Sequence, residues 1–259
     1  MTKLDKMVDV LDLFTEENPT LSADEIADRL QISRPTAFRY VKELAHTGFL
    51  AKLGSRYALG ARIIELDYRF RHSDPILRES VDAMKELADL TACGIFLSRI
   101  LGHQIFNVHY ETWRENNAVT FGRGRPLPFF KGGAAKIVLA HLAPAKLRDI
   151  YEKYQKEVDV REIATDWPTF SKTFREIRKQ GHYISRGEVD SSLIGISAPL
   201  FNDGKTVVGS LSLVFEKSRE EWINEEGCAE LVKNFADRIS LRIANADPAI
   251  KAQESGSSD

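Results

Sequence analysis

The chain is poor in cysteine. Cys93 and Cys228 are far apart in sequence and outside any CxxC pattern, which excludes a disulfide framework or a zinc ribbon and fits a reducing compartment. Apolar runs of the roughly 18 residues needed to cross a membrane are missing, as is a short apolar N-terminal stretch of the signal-peptide kind. A cytoplasmic protein with no membrane partner is expected. The six histidines, His46, His72, His103, His109, His141 and His182, form neither HExxH nor a close pair with cysteine. Nucleophile-elbow, P-loop and GxGxxG patterns are likewise lacking. Glu188 and Asp190 lie near Ser185, but their segment reads as a solvated loop rather than as acid–base machinery. No catalytic residue, metal site or cofactor is therefore expected, and the chain is not read as an enzyme. An excess of one charge is missing too: 36 Lys and Arg face 38 Asp and Glu, a net charge of −2. Such a chain does not coat nucleic acid with its whole surface, so any basic contact must be local. There is no internal repeat.

What is present is ample apolar material, 43% of 259 residues, enough for one large or two modest domains. In "KLDKMVDVLDLFT", Leu4, Met7, Val8, Leu11 and Phe14 recur at helical steps. "NPT" interrupts, and Ser22 with Glu25 three residues on forms a capping box before Ile26, Ala27 and Leu30. After the short turn "QIS", Ser33 is placed to cap a third helix, with Pro35 tolerated in its first turn. Ala37, Val41 and Leu44 make its buried stripe with Tyr40 at the edge, and Gly48 ends it. "FLAKLGSRYAL" reads as two short strands about Gly54-Ser55, a hairpin of the Gly-first type. Helix, helix, turn, helix and hairpin is the order of a winged helix-turn-helix.

Charge is concentrated on that unit. Between Arg29 and Arg62 the cations are Arg29, Arg34, Arg39, Lys42, Lys52, Arg56 and Arg62, and the anion is Glu43. With Ala37, Val41 and Leu44 inward, helical geometry places Arg34, Pro35, Phe38, Arg39 and Lys42 outside. Basic and hydroxylated residues near a helix N-terminus suit the major groove. An outward Phe38 suits thymine methyls better than water. Ser33, Arg34, Pro35, Thr36, Phe38, Arg39 and Lys42 are the expected recognition residues, with Lys52, Ser55 and Arg56 on the wing. The expected partner is a double-stranded operator. A sensor whose helix-turn-helix contacts a protein stays open as an alternative.

Residues 61–72 read as a connecting helix stopped at Asp74-Pro75, and residues 76–90 as an amphipathic helix. The pattern then changes to strands over 94–111, a strand and Gly/Pro loop over 118–130, helices at 131–142, 144–154 and 167–181, strands at 182–186 and 193–215, and a long helix after Trp222. The polar end from 248 reads as disordered. The expected division is 1–60, a linker helix 61–74, an antiparallel-sheet α+β domain 75–247 and a tail 248–259.

Two stretches extend this. "LSADEIADRLQISRPTAFRYVKELAHTGFL…RYALGARIIEL", and "GRPLPFFKGGAAKIVLAHL" with "REIRKQGHYISRGEVDSSLIGISAPLFNDGKTVVGSLSLVF", resemble the IclR family of bacterial transcription regulators. The resemblance implies an N-terminal winged helix-turn-helix, a linker helix, a GAF-like effector domain, and dimers or tetramers on partly palindromic operators. Three departures stand out: the wing is short, the His-Ala-Thr usual at the start of the sensor helix is Phe130-Lys131-Gly132-Gly133, and the second acid usual after the serine is replaced by Gly187, leaving Glu188; the last two lie near the pocket that the resemblance implies.

Within the hairpin 194–215, pairing Phe201 with Thr206 sets Gly195 opposite Ser212, Ser197 opposite Ser210 and Pro199 opposite Val208. The other face then pairs Ile194 with Leu213, Ile196 with Leu211 and Ala198 with Gly209. One face is apolar and the other small and hydroxylated. Gly132, Gly133 and Ala134 open a helix whose N–H groups favour an anion, although the glycines serve equally for tight helix–sheet packing. The family's effector positions fall on this helix start and on Ser185, Gly195 and Ser212. Adding Ser197 and Ser210, with Phe129, Phe130 and Trp113 as apolar walls, gives a site for a small effector, a carboxylate by expectation. A repressor is the expected mode, with an activator of the same family as the alternative.

Overall fold

The structure, a computed structural model, describes residues 2–102, 104–112 and 122–246. The expectations for His103, for Trp113 as a wall, for the strand over 118–121 and for the tail 248–259 lie outside these residues. The chain forms two compact units, Met1–Asp74 and Pro75–Asp259.

The first unit runs α1 (Lys3–Asp12), β1 (Leu21–Ser22), α2 (Ala23–Leu30), α3 (Arg34–His46), β2 (Leu50–Leu53), β3 (Arg56–Leu59) and α4 (Ala61–Ser73). Both early helices are fixed by reciprocal caps, Thr2 with Asp5 and Ser22 with Glu25. The backbone N–H of Ser22 and its hydroxyl, with Arg56, hold the Glu25 carboxyl down at about 2. Gln31 turns left-handed at the end of α2, which allows the short turn into α3. The apolar faces meet in a core of Val10, Ile26, Ala37, Val41 and Leu44. Tyr40 is inside this core and not at its edge. Ser33 does not cap α3 through its side chain: the hydroxyl lies 2.8 Å from that of Thr36, while the Thr36 N–H donates to the Ser33 carbonyl. The hairpin pairs Leu53 with Arg56 across the two-residue turn, and β1 adds a third strand against β3. Helix α4 has no buried residue, and Ile64 and Tyr68 are 73% and 62% exposed.

The second unit runs α5 (Pro75–Thr91), β4 (Gly94–Leu101), β5 (Gln104–Glu111), α6 (Gly133–His141), α7 (Pro144–Tyr154), α8 (Val158–Ile163), α9 (Trp167–Gln180), β6 (Tyr183–Arg186), β7 (Leu193–Phe201), β8 (Val207–Glu216), a 3-10 turn Lys217–Trp222 and α10 (Glu225–Ala246). The sheet is antiparallel in the order β5-β4-β8-β7-β6. Helices α5 and α10 pack on one face and α6 on the other. Outside α6, a second core gathers Phe130, Leu147, Tyr151, Val160, Phe170 and Phe174. Helix α8 and the 3-10 turn escape sequence reading because each is too short to show a period.

The β7–β8 register corrects the expected one. Gly195 opposes Val214, Ser197 opposes Ser212, Pro199 opposes Ser210, and on the other face Ile194, Ile196 and Ala198 oppose Phe215, Leu213 and Leu211. The turn spans residues 202–206, one more than the expected pairing allowed. The Asp203 carboxylate accepts the N–H groups of Lys205 and Thr206, and an irregularity at Leu200/Phe201 pairs Phe201 with Val207. Through the sheet body the pairing moves by two residues. An even slip leaves every side chain on its face, so the division into an apolar and a hydroxylated face survives.

Candidate functional sites

On the first unit, α3 turns Ser33, Arg34, Pro35, Phe38, Arg39 and Lys42 to solvent, with Thr36 half-buried. Phe38 is 51% exposed, a large apolar area on a helix whose inner face is already filled. The positive field is smaller than the sequence window suggests, because carboxylates outside that window fold back on it. Arg34 lies 3.2 Å from Asp24, and Arg62 pairs with Glu65 at 2.9 Å. Arg56 is the clearest correction. It donates to the Thr20 hydroxyl at 3.1 Å and carbonyl at 2.8 Å and pairs with Glu25 at 3.0 Å, which ties the wing to the start of α2 instead of leaving a free wing cation. Arg29, Arg39, Lys42 and Lys52 carry no ion pair among the described residues, and of these Arg39 and Lys42 lie on α3 and Lys52 on the wing. The wing tip also exposes Ser55 and Leu53.

On the second unit a cavity of about 690 Å³ lies between the sheet and the start of α6. Alternate residues of β4, namely Gly94, Phe96 and Ser98, face it, as the two-residue period of a strand requires. So do Gly195 and Ser197 of β7, Ser212 and Val214 of β8, Ser185 of β6, and Gly132, Gly133 and Ala134. The polar floor is ordered: the Ser197 and Ser212 hydroxyls are 2.7 Å apart, and Ser98 donates to Asn107 Oδ1 at 2.7 Å. No side chain caps α6, and the N–H groups of Gly133 and Ala134 meet no acceptor among the described residues. Gly133 also serves packing. A Cβ there would fall 2.5 Å from Ser197 Oγ, so its lack of a side chain lets the helix start sit against the floor.

The structure separates three expected residues from this cavity. Phe130 is 3% exposed and packs in the outer core, and Phe129 packs against that core. Ser210 is wholly buried and donates to the Ala134 carbonyl at 3.3 Å, tying the helix to the sheet. The apolar wall is built instead by Phe96, Leu127, Val189 and Val214.

The segment expected to be a solvated loop also contributes. Glu188 lines the cavity, half-buried. Its carboxylate accepts the Gly132 N–H at 2.9 Å and the Tyr183 hydroxyl at 2.8 Å, and it pairs with Lys136 Nζ at 2.6 Å. Burial alone would raise the Glu188 carboxyl, but the hydrogen bonds from Lys136, Gly132 and Tyr183 outweigh it and hold the group below its ordinary value. Burial would likewise depress Lys136, and Glu188 and Tyr183 reverse this and raise it. For Tyr183, burial dominates and the phenol is pushed up.

Both units match known family models: the IclR helix-turn-helix domain over residues 3–54, and the bacterial transcriptional regulator IclR C-terminal domain over residues 70–241. The chain belongs to the IclR family. It is 24% identical over 246 residues to the HTH-type transcriptional regulator KdgR of Escherichia coli K12, covering 93% of this chain and 92% of that one. A solved IclR-type regulator from Silicibacter superposes with a TM-score of 0.76 at 20% identity, covering 94% of this chain and 96% of the other. An IclR homologue from Microbacterium hydrocarbonoxydans, solved in complex with 4-hydroxybenzoate, gives 0.73 at 19% identity, covering 95% and 100%. The IclR-family chain is thus an α+β transcriptional regulator with an N-terminal helix-turn-helix, and not an enzyme. No helix among the described residues is long and apolar enough to cross a membrane.

Within this IclR-family unit, sequence reading missed Ser98 and Asn107, and it named Glu188 only as a carboxylate of a solvated loop near the pocket. Ser98 and Asn107 left a usable signal, as polar residues inside strongly apolar strands, a position that buried polar groups occupy only when hydrogen-bonded. The pairing of Glu188 was not visible in sequence, because Gly132 and Lys136 are more than fifty residues upstream and only the fold joins them.

Proposed function

We propose that the exposed face of α3 reads an operator in the major groove and that the 690 Å³ cavity holds a small organic acid which changes operator affinity. The observation that carries the second half is the helix start itself. Two backbone N–H groups without acceptors adjoin a floor of serine hydroxyls, a setting that favours a carboxylate over a purely apolar ligand. The 4-hydroxybenzoate bound by the Microbacterium homologue, a carboxylate with an aromatic body, agrees with this lining. In this reading Ser33, Arg34, Pro35, Thr36, Phe38, Arg39 and Lys42 face the duplex with Lys52 and Ser55, while Arg56 braces the wing. Repression is the mode proposed, since blocking an operator needs no further contact surface, and the site of action is the cytoplasm. Helix α4, with Ile64 and Tyr68 exposed, is proposed to pair with a second copy, as two half-sites about one DNA turn apart require.

Fluorescence anisotropy of the gene's own upstream duplex at several salt concentrations tests the proposal. Tight, sequence-selective, salt-sensitive binding that organic acids reverse supports it, whereas weak, sequence-blind binding refutes the DNA reading. Arg39→Ala is expected to weaken duplex binding about tenfold and to lower the salt slope by about one unit, with effector affinity unchanged. Ser212→Val does the reverse: it removes the hydrogen bond to Ser197 and fills the floor with methyl groups. Effector affinity should fall at least about tenfold, as expected for an unpaired buried hydroxyl and lost volume. A DNA-binding defect in effector-free Ser212→Val would contradict the division of labour.

A further inference from the structure

We propose that Glu188 is a resident anion that restricts the cavity to ligands carrying a single negative charge. This deepens, and rests on, the carboxylate reading above. The argument is an inventory of what the start of α6 has left to offer. The Gly132 N–H is already donated to Glu188 Oε2, and Lys136, the half-buried cation behind the cavity, is held by the same carboxylate at 2.6 Å. Lys131, which also reaches the cavity, is committed to Asp159 at 2.8 Å. The N–H groups of Gly133 and Ala134 remain, enough for one carboxylate. The other charged groups along the lining are Asp190 and Glu216 and, exposed to solvent, Lys217, so a second carboxylate directed at the helix start meets the charge of Glu188 and no free cation there. Like charges brought together in a partly dehydrated site disfavour each other strongly.

Glu188 is also placed so that losing its charge reverses the preference. It lines the main cavity and a smaller one of about 330 Å³ behind it, to which Lys136 belongs. Glutamine at this position keeps the shape and a hydrogen-bond acceptor. It removes the negative charge and leaves the Lys136 ammonium without its counterion. A second ligand carboxylate directed at Glu188 in the wild type would then find a cation.

Calorimetric titration of the full chain with matched acids tests this, using butyrate against succinate and benzoate against phthalate. The wild type is expected to favour each monocarboxylate by about tenfold or more, and Glu188→Gln to reduce that ratio by about tenfold, mainly through tighter dicarboxylate binding. Glu188→Asp, which keeps the charge, should retain the wild-type preference; a purely structural residue would make both variants behave alike. Adding Lys136→Gln to Glu188→Gln should abolish the gain for dicarboxylates. Equal binding of mono- and dicarboxylates by the wild type, or an unchanged ratio in Glu188→Gln, overturns the proposal and leaves the carboxylate reading standing. Failure of the wild type to bind either series overturns both.

Discussion

Gly209→Ala is expected to destabilise the second unit by on the order of 3 kcal/mol or more, at the upper end of what overpacking costs. Gly209 lies on β8 between Leu200 and Arg99, in the middle of the sheet. A Cβ there would sit 2.0 Å from the Ser98 carbonyl oxygen and 3.2 Å from Arg99 Cα. These are backbone atoms of a paired strand, so no side chain can rotate away. Relief requires β4 and β8 to separate, and Ser98 and Ser212 move with them, so the cavity floor is lost together with stability. Chemical denaturation should show a lowered midpoint for the second unit, and effector titration a loss of binding. A wild-type midpoint would contradict the close approach of β4 to β8 at Gly209.

Lys136→Met should destabilise the same unit by about 2 kcal/mol at neutral pH. Removing one member of a buried ion pair commonly costs 3–5 kcal/mol, and the value is reduced here because the Lys136 and Glu188 side chains keep 14% and 22% exposure. The pH dependence identifies the cause. Glu188 titrates below its ordinary 4.5, so its contribution is present above that value and is lost as pH falls through the folded-state value. Lys136 titrates above its ordinary 10.5, so its contribution is present below that value and is lost as pH rises through the folded-state value. The pair therefore stabilises between these limits. In Lys136→Met the carboxyl loses its strongest partner, takes up a proton more readily and ceases to be a buried unpaired charge in mild acid. The gap between variant and wild type should narrow as pH is lowered from 7 toward 4. A gap that does not vary with pH would assign the loss to packing alone.

The sequence by itself was enough for whatever depends on short-range periodicity and caps. The capping box at Ser22, the steps of Ala37, Val41 and Leu44, and the turn at Gly54-Ser55 specify the helix-turn-helix and its outward Phe38, because helix period and turn geometry are local. The alternation in β7 and β8 likewise specified two unlike faces, and an even slip in pairing could not disturb them. Only the tertiary structure decided which charges are free and which groups meet. Arg56 is expected on the wing surface by its position, yet Thr20 and Glu25 draw it inward. Phe130 reads as a cavity wall and belongs to the outer core, since the α7–α9 layer supplies its neighbours. Glu188 reads as solvated because its counterion, Lys136, is more than fifty residues upstream. Its partners arrive from α6 only when the helix start docks on the sheet, and that docking needs a glycine at 133 so that backbone can approach Ser197. Burial, ion pairing and cavity shape are sums over residues distant in sequence, and a periodicity read along the chain carries no information about them.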